Sequence, residues 1–197
     1  MHILGITGGI ATGKSTVTQM LAELGAPTMS ADAISRALLA PGTPTTAAVL
    51  DAFPACADAA NPQKINRRAL AQIIFADADV RLRLEALTHP PIIAALRAQI
   101  AKWRQLNTAR AAAAEIPLLY EVGLEHDLDF VVVASCSELL QAARLCVRDS
   151  IDAAEARRQV NAQWPLEEKI VRADFVVTTD LGLEETRRQV RALWESL

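Results

Sequence analysis

The chain has 197 residues, 51% hydrophobic and 22% charged, with a net charge of −3. That length suits one well-buried α/β domain with a small helical insertion, and the mild negative charge supplies no basic footprint for nucleic acid. No run approaches the ~18 apolar residues of a membrane span.

The three cysteines, Cys56, Cys136 and Cys146, lack metal-ligand or redox spacing and read as small buried residues. Residues 1–7 are too short for the apolar stretch of a signal peptide and have no basic n-region. Reduced thiols without a leader point to a cytoplasmic protein.

His2-Ile3-Leu4-Gly5-Ile6-Thr7 is a short apolar run ending in glycines, the pattern of a buried parallel strand. Val17, Met20, Leu21 and Leu24 then line one face of a helix over 14–24, which Gly25 stops. A weaker strand is expected at 27–29 and a helix at 32–39, ahead of Pro41-Gly42. Residues 43–66 show no sharp period and read as loop with a short helix over 47–53. Helices follow at 67–75 and 80–87; His89-Pro90-Pro91 then interrupts, because a residue before proline is pushed from helical angles, and a helix resumes at 92–106.

Residues 111–116 are an alanine-rich strand against local preference, since alanine favours helix. Phe130-Val131-Val132-Val133-Ala134 is a clear strand. Helices over 138–148, 153–162 and 166–172, a strand over 175–178 and an amphipathic helix over 183–197 complete the chain. Strands separated by helices imply a three-layer α/β/α fold, its mainly parallel sheet of about five strands joined by right-handed crossovers.

The first strand runs directly into Gly8-Gly9-Ile10-Ala11-Thr12-Gly13-Lys14-Ser15, which fits the phosphate-loop spacing G-x-x-x-x-G-K-S/T without a gap. Glycines let the backbone turn sharply and present N–H groups to phosphate oxygens at a helix N-terminus. Gly9 to Thr16 are thus the candidate ATP-binding residues. Lys14 would reach the β/γ-phosphates, the Ser15 hydroxyl would ligate Mg²⁺, and Thr16 extends the hydroxyl-rich edge.

A guanine-reading N-K-x-D string is absent, and no glycine follows an aspartate by three positions. The strand over 130–134 runs into Ser135-Cys136-Ser137 rather than the aspartate of a motor-type ATPase. Short length and a later arginine-rich segment favour a small-molecule kinase whose lid closes over ATP. Asp32 follows the second strand, at the ligand-binding edge of such a sheet. It is either a general base that also helps hold Mg²⁺, or a helix N-cap.

Arg144 and Arg148 share one helix face; they either pair with local acids such as Asp149 or neutralise the transferring phosphate. His89 is a loop histidine or a contact to substrate phosphate. Glu115 is an acidic group near Mg²⁺ or the polar end of a strand. Trp103, Trp164 and Trp194 read as core or docking anchors, and Arg157 and Arg158 as solvated.

Several strings fall in one order: Thr7-Gly8-Gly9-Ile10 with Gly13-Lys14-Ser15-Thr16, Ala31-Asp32 with Arg36 and Pro41-Gly42, Asn66-Arg67-Arg68-Ala69-Leu70 with Ile74-Phe75, His89-Pro90, Ile116-Pro117-Leu118-Leu119 with Glu121, Arg144 with Arg148-Asp149, and Ala173-Asp174. The series resembles the dephospho-coenzyme A kinase family from end to end. The resemblance implies ATP- and Mg²⁺-dependent phosphorylation of the ribose 3′-hydroxyl of dephospho-coenzyme A. It implies one P-loop kinase domain over 1–197, with a helical substrate-binding portion around 60–106 and a lid around 144–165.

Carried over by position, Asp32 is the base, Lys14 and Arg144 are the catalytic cations, and Arg148 assists ATP. Ser15 and Asp32 hold the metal. Asp32, Arg36, Arg67, Arg68, His89, Leu118 and Glu121 line the acceptor. A monomer without nucleic-acid or membrane partners is expected. The chain departs from the family pattern in Ser30-Ala31-Asp32, where Asp-Ala-Asp is frequent, and in Val177-Thr178-Thr179-Asp180, where asparagine often follows the last strand.

Overall fold

The opening apolar run is buried from Ile3 onward and forms β1 (His2–Gly8), the middle strand of a sheet. The structure is a computed structural model and describes residues 1–197, except the side chains of Ile74, Phe75, Ala76 and Ala78. The Ile74-Phe75 element of the resemblance lies outside the described residues. The chain divides into two compact units: Met1–Ser30 with Trp103–Leu197, and Ala31–Lys102.

The first unit is built on β1, β2 (Thr28–Ser30), β3 (Ala111–Glu115), β4 (Phe130–Ser135) and β5 (Phe175–Thr178). All pairings are parallel, in the order β2-β3-β1-β4-β5. The order reverses at β1, and ligands of such sheets bind in the crevice beyond the carboxyl ends of the strands there. β3 is alanine up to Glu115 and wholly buried between β1 and β2. Sheet pairing and burial on both faces override the helical preference of alanine.

Helices α1 (Lys14–Glu23) and α9 (Leu183–Ser196) bury Val17, Leu21, Val190 and Leu193 against Leu4, Ile6, Ala111, Ala113, Val132 and Ala134. The alternate strand residues Ile3, Val131 and Val133 are also buried, as in a sheet covered on both faces. Helix α8 (Leu166–Val171) packs against β4. Helices α6 (Glu138–Asp149) and α7 (Ala153–Asn161) meet through Ala142, Leu145 and Ala156, with Ile10 and Ala11 of the glycine loop packed on the same cluster.

The second unit contains α2 (Ala31–Leu38), α3 (Pro44–Ala52), a 3₁₀ turn at Pro54–Cys56, α4 (Arg67–Ala76) and most of α5 (Ala78–Leu106). Its core gathers Val49, Phe53, Cys56, Ile65 and Leu70, flanked by Leu84 and Leu87. Helix α3 starts ahead of the expected residue 47 because the Thr43 side chain caps it, accepting the Thr46 N–H at 3.2 Å, with Pro44 next. Threonine then proline is a helix-start signal that the alanine-rich pattern masked.

Two expectations are corrected. Pro90 and Pro91 do not interrupt the chain: α5 runs through both. Each proline costs about 3 kcal/mol in a helix interior, but the helix is anchored on both sides of the pair. Leu84 and Leu87 pack on the core before it, and Leu96, Ile100 and Trp103 are buried after it. The Thr88 hydroxyl also donates back to the Leu84 carbonyl at 2.9 Å. Second, α2 begins at Ala31, so Asp32 lies inside the first turn and is not its N-cap. Among the described residues no helix is long and apolar enough to cross a membrane.

Candidate active site

The glycine loop bridges the carboxyl end of β1 and the N-terminus of α1. Gly8 has φ 143°, and a Cβ there would stand 2.2 Å from the Ala134 carbonyl oxygen. Gly13 has φ 90° and precedes α1 with no side-chain cap. The orphan N–H groups of the helix start therefore face outward, a ready anion site. Among the described residues the amides of Ala11, Gly13 and Ser15 have no protein partner. Lys14 Nζ turns back over the loop, donating to Gly9 O at 2.7 Å and to Gly8 O at 3.4 Å.

Ser15 in the first turn of α1 meets Glu115 at the end of β3: the Ser15 hydroxyl donates to Glu115 Oε1 at 2.7 Å. Glu115, the last residue of β3, is only 8% exposed. Its acidic role, left open by the sequence, is thus tied to the loop hydroxyl. Among the described residues no three His, Cys, Asp or Glu side chains cluster as a full metal cage. A hydroxyl beside one carboxylate is the donor set expected of Mg²⁺, which keeps its waters and shares substrate phosphates.

Arg144, on α6, braces the loop wall. One terminal nitrogen donates to Ala11 O at 3.1 Å and to Thr179 Oγ1 at 2.9 Å, while the other reaches Thr179 O at 2.9 Å. Thr179 in turn donates its hydroxyl to Thr12 O at 2.8 Å. Arg144 therefore ties the glycine loop to the turn after β5. Arg148 takes the surface alternative instead, gripping Asp149 with two bonds of 2.8 Å. That bond holds the Asp149 carboxyl below its usual range.

Asp180 accepts the backbone N–H and the hydroxyl of Ser137, and the backbone bond foremost keeps its carboxyl low. Burial pushes the neighbouring Cys136 thiol up, against the pull of Arg144. All three cysteines are free, and Cys56 and Cys136 are buried.

Beyond β3, Leu118 is exposed and Glu121 pairs with a residue the sequence did not single out. This is Lys169 of α8, 1% exposed, whose ammonium reaches Glu121 at 2.6 Å and Pro117 O at 3.3 Å. Trp164 stands edge-on to Tyr120 and under the Arg172 guanidinium. Together with Gly9, Ser135, Ser137, Gln141 and Gln163 it lines a cavity of about 620 Å³.

Gln163, between α7 and α8, accepts the Ile10 N–H at 2.6 Å. Nothing local in the sequence marks Gln163 or Lys169. Thr179 did carry a signal, its place just after the last strand.

The acceptor candidates Asp32, Arg36, Arg67, Arg68 and His89 belong to the second unit. Asp32 and Arg36 stand one turn apart on α2, both exposed. Arg67 and Arg68 open α4 behind an Asn66 cap, and His89 is half-buried within α5. None of the five side chains makes a hydrogen bond or ion pair among the described residues.

An all-parallel sheet in this order, with a glycine loop opening α1, defines a nucleotide-binding P-loop kinase of α/β class. Among solved structures it is similar to a Thermus thermophilus protein (30% identity, TM-score 0.84, covering 100% of this chain and 97% of that one). It is also similar to a dephospho-CoA kinase from Campylobacter jejuni (25%, TM-score 0.67, 99% and 96% covered).

A family model described as Dephospho-CoA kinase matches residues 2–185, and the chain belongs to that family. A relative named Dephospho-CoA kinase from Syntrophotalea carbinolica is 42% identical, covering 100% of this chain and 92% of the relative. One of the same name from Anaeromyxobacter dehalogenans is 45% identical, with 90% and 83% covered. The protein is accordingly an enzyme, a kinase of the coenzyme A synthesis family.

Proposed function

We propose that the chain transfers the γ-phosphoryl group of ATP to the ribose 3′-hydroxyl of dephospho-coenzyme A, with Mg²⁺. The observation that carries this is the loop wall: a phosphate loop with outward amides, braced by Arg144 and flanked by the Ser15–Glu115 pair, in a chain of this family. Gly9 to Thr16 bind the triphosphate, with Arg148 available beside them once it leaves Asp149. Ser15, Glu115 and Asp32 would hold Mg²⁺, which supplies charge neutralisation to the β- and γ-oxygens when bound.

Lys14 exchanges its loop carbonyls for phosphate oxygens on the leaving side. Arg144 holds the loop in shape for the equatorial oxygens through its bonds to Ala11 and Thr179 and has further N–H groups to spare. Asp32 accepts the proton of the attacking hydroxyl.

The second unit, with Arg36, Arg67, Arg68 and His89, is assigned to the acceptor, together with Leu118 and Glu121. The segment 144–165 is assigned to the lid, within one catalytic chain over 1–197 that works as a monomer in the cytoplasm. Purified chain with ATP, Mg²⁺ and dephospho-coenzyme A should release ADP in a coupled assay. Silence with this acceptor, but turnover of another nucleoside or metabolite in the same panel, would replace the reading with a different P-loop kinase.

A further inference from the structure

The peptide group between Gly9 and Ile10 is held from both ends. Its carbonyl accepts Lys14 Nζ at 2.7 Å and the Thr12 hydroxyl at 2.9 Å, and its N–H donates to Gln163 Oε1 at 2.6 Å. Lys14 and Thr12 belong to the loop itself. Gln163 comes from 153 residues further on and, among the described residues, is the one side chain that takes a loop N–H.

Because the partner is an N–H donor, the Gln163 amide has a fixed orientation, with its oxygen on the loop and its NH₂ group turned away. Gln163 lines the cavity beside Gly9, Ser135 and Ser137, and its NH₂ group has no acceptor among the described residues. The lysine of a phosphate loop marks the β/γ end of the bound triphosphate. Here that lysine sits on the same peptide group as Gln163.

We propose that Gln163 is a positioning residue for the γ-phosphoryl group. Its oxygen fixes the Gly9–Ile10 peptide, and its NH₂ group donates to the terminal phosphate. The inference rests on the reading of Gly8 to Ser15 as the ATP site. Its consequence is selectivity, since a donor at that end favours a nucleotide with a third phosphate over one with two.

The test compares wild type with Gln163→Glu and Gln163→Ala in titrations with ADP and with a non-hydrolysable ATP analogue, followed by turnover. Glutamate keeps an oxygen for the Ile10 N–H but loses the donor; alanine loses both. Gln163→Glu, which keeps the brace, should hold the ADP affinity and the melting temperature of the parent, and Gln163→Ala should lower both only slightly. In both variants affinity for the ATP analogue and kcat should fall about 10- to 100-fold, the worth of one hydrogen bond to a charged group.

Equal losses for ADP and the ATP analogue would make Gln163 a brace of the loop only and overturn the proposal. A loss confined to Gln163→Glu would overturn it as well, since an added charge rather than a missing donor would be responsible. Wild-type chain that bound neither nucleotide would remove the reading of the loop, and this inference with it.

Discussion

Around the phosphate loop of the first unit the polar side chains are bonded to protein: Arg144 to Ala11 and Thr179, Thr179 to Thr12, Ser15 to Glu115, Gln163 to Ile10. In the second unit Asp32, Arg36, Arg67, Arg68 and His89 have no such partners. The two regions solve different problems. Donors aimed at a phosphate accelerate transfer when they need little rearrangement during reaction, and the bonds of Arg144, Thr179 and Gln163 hold the loop backbone in shape in advance. On the proposed reading, the exposed charges of the second unit stay hydrated and lose their water only when the acceptor binds, which makes their contribution to affinity smaller and more selective.

That contrast can be broken most severely at Asp32. Asp32→Asn should lower kcat roughly 10²- to 10⁴-fold, with ATP affinity intact, in a coupled ADP assay. Turnover at the parental rate would remove Asp32 as base. Next comes Arg144→Ala, expected to lose on the order of 10³ in kcat by analogy with arginines that stabilise phosphoryl transfer. Arg144→Lys should recover little of it, because an ammonium cannot span Ala11, the Thr179 hydroxyl and the Thr179 carbonyl as a planar fork does. Full recovery by lysine would mean that charge alone matters there.

Glu121→Ala leaves the buried Lys169 ammonium without its carboxylate and should cost about 3 kcal/mol in a denaturant titration. A raised KM for the acceptor at unchanged stability would instead favour the substrate role. Glu115→Gln keeps an oxygen for Ser15 but removes the negative charge. Apparent Mg²⁺ affinity should drop about 10-fold in a metal titration of the ADP complex, as changes around a metal typically produce.

The smallest effect is acidic. Asp180 is held below its ordinary pKa by Ser137, so its contribution to stability is complete above the unfolded value of about 3.9 and is lost as pH falls through the folded value. The melting-temperature gap between wild type and Asp180→Asn should therefore close only as pH drops below about 4. A gap that persisted there would place its origin elsewhere.

Some of this was legible in residues alone. The glycine spacing with its flanking strand and helix located the loop, because the φ values above zero at Gly8 and Gly13 and the close approach to Ala134 leave room for little else. β4 and β5 declared themselves as β-branched runs. Other elements were set by distant contacts. The alanines of β3 have no strand preference of their own, and α5 survives Pro90 and Pro91 only because both of its flanks are buried.

The sequence by itself determined the chemistry on offer: the anion-binding loop, one lysine and one serine at its end, an aspartate after the second strand, and the order of motifs that marks the family. Tertiary structure decided how those groups are used. Only packing brings Glu115 to Ser15, Thr179 and Arg144 to the loop backbone, and Gln163 to the peptide that Lys14 also holds. Such contacts join residues a hundred or more positions apart, and local patterning carries no trace of them because their free energy comes from burial and hydrogen bonds that exist only once the sheet has assembled.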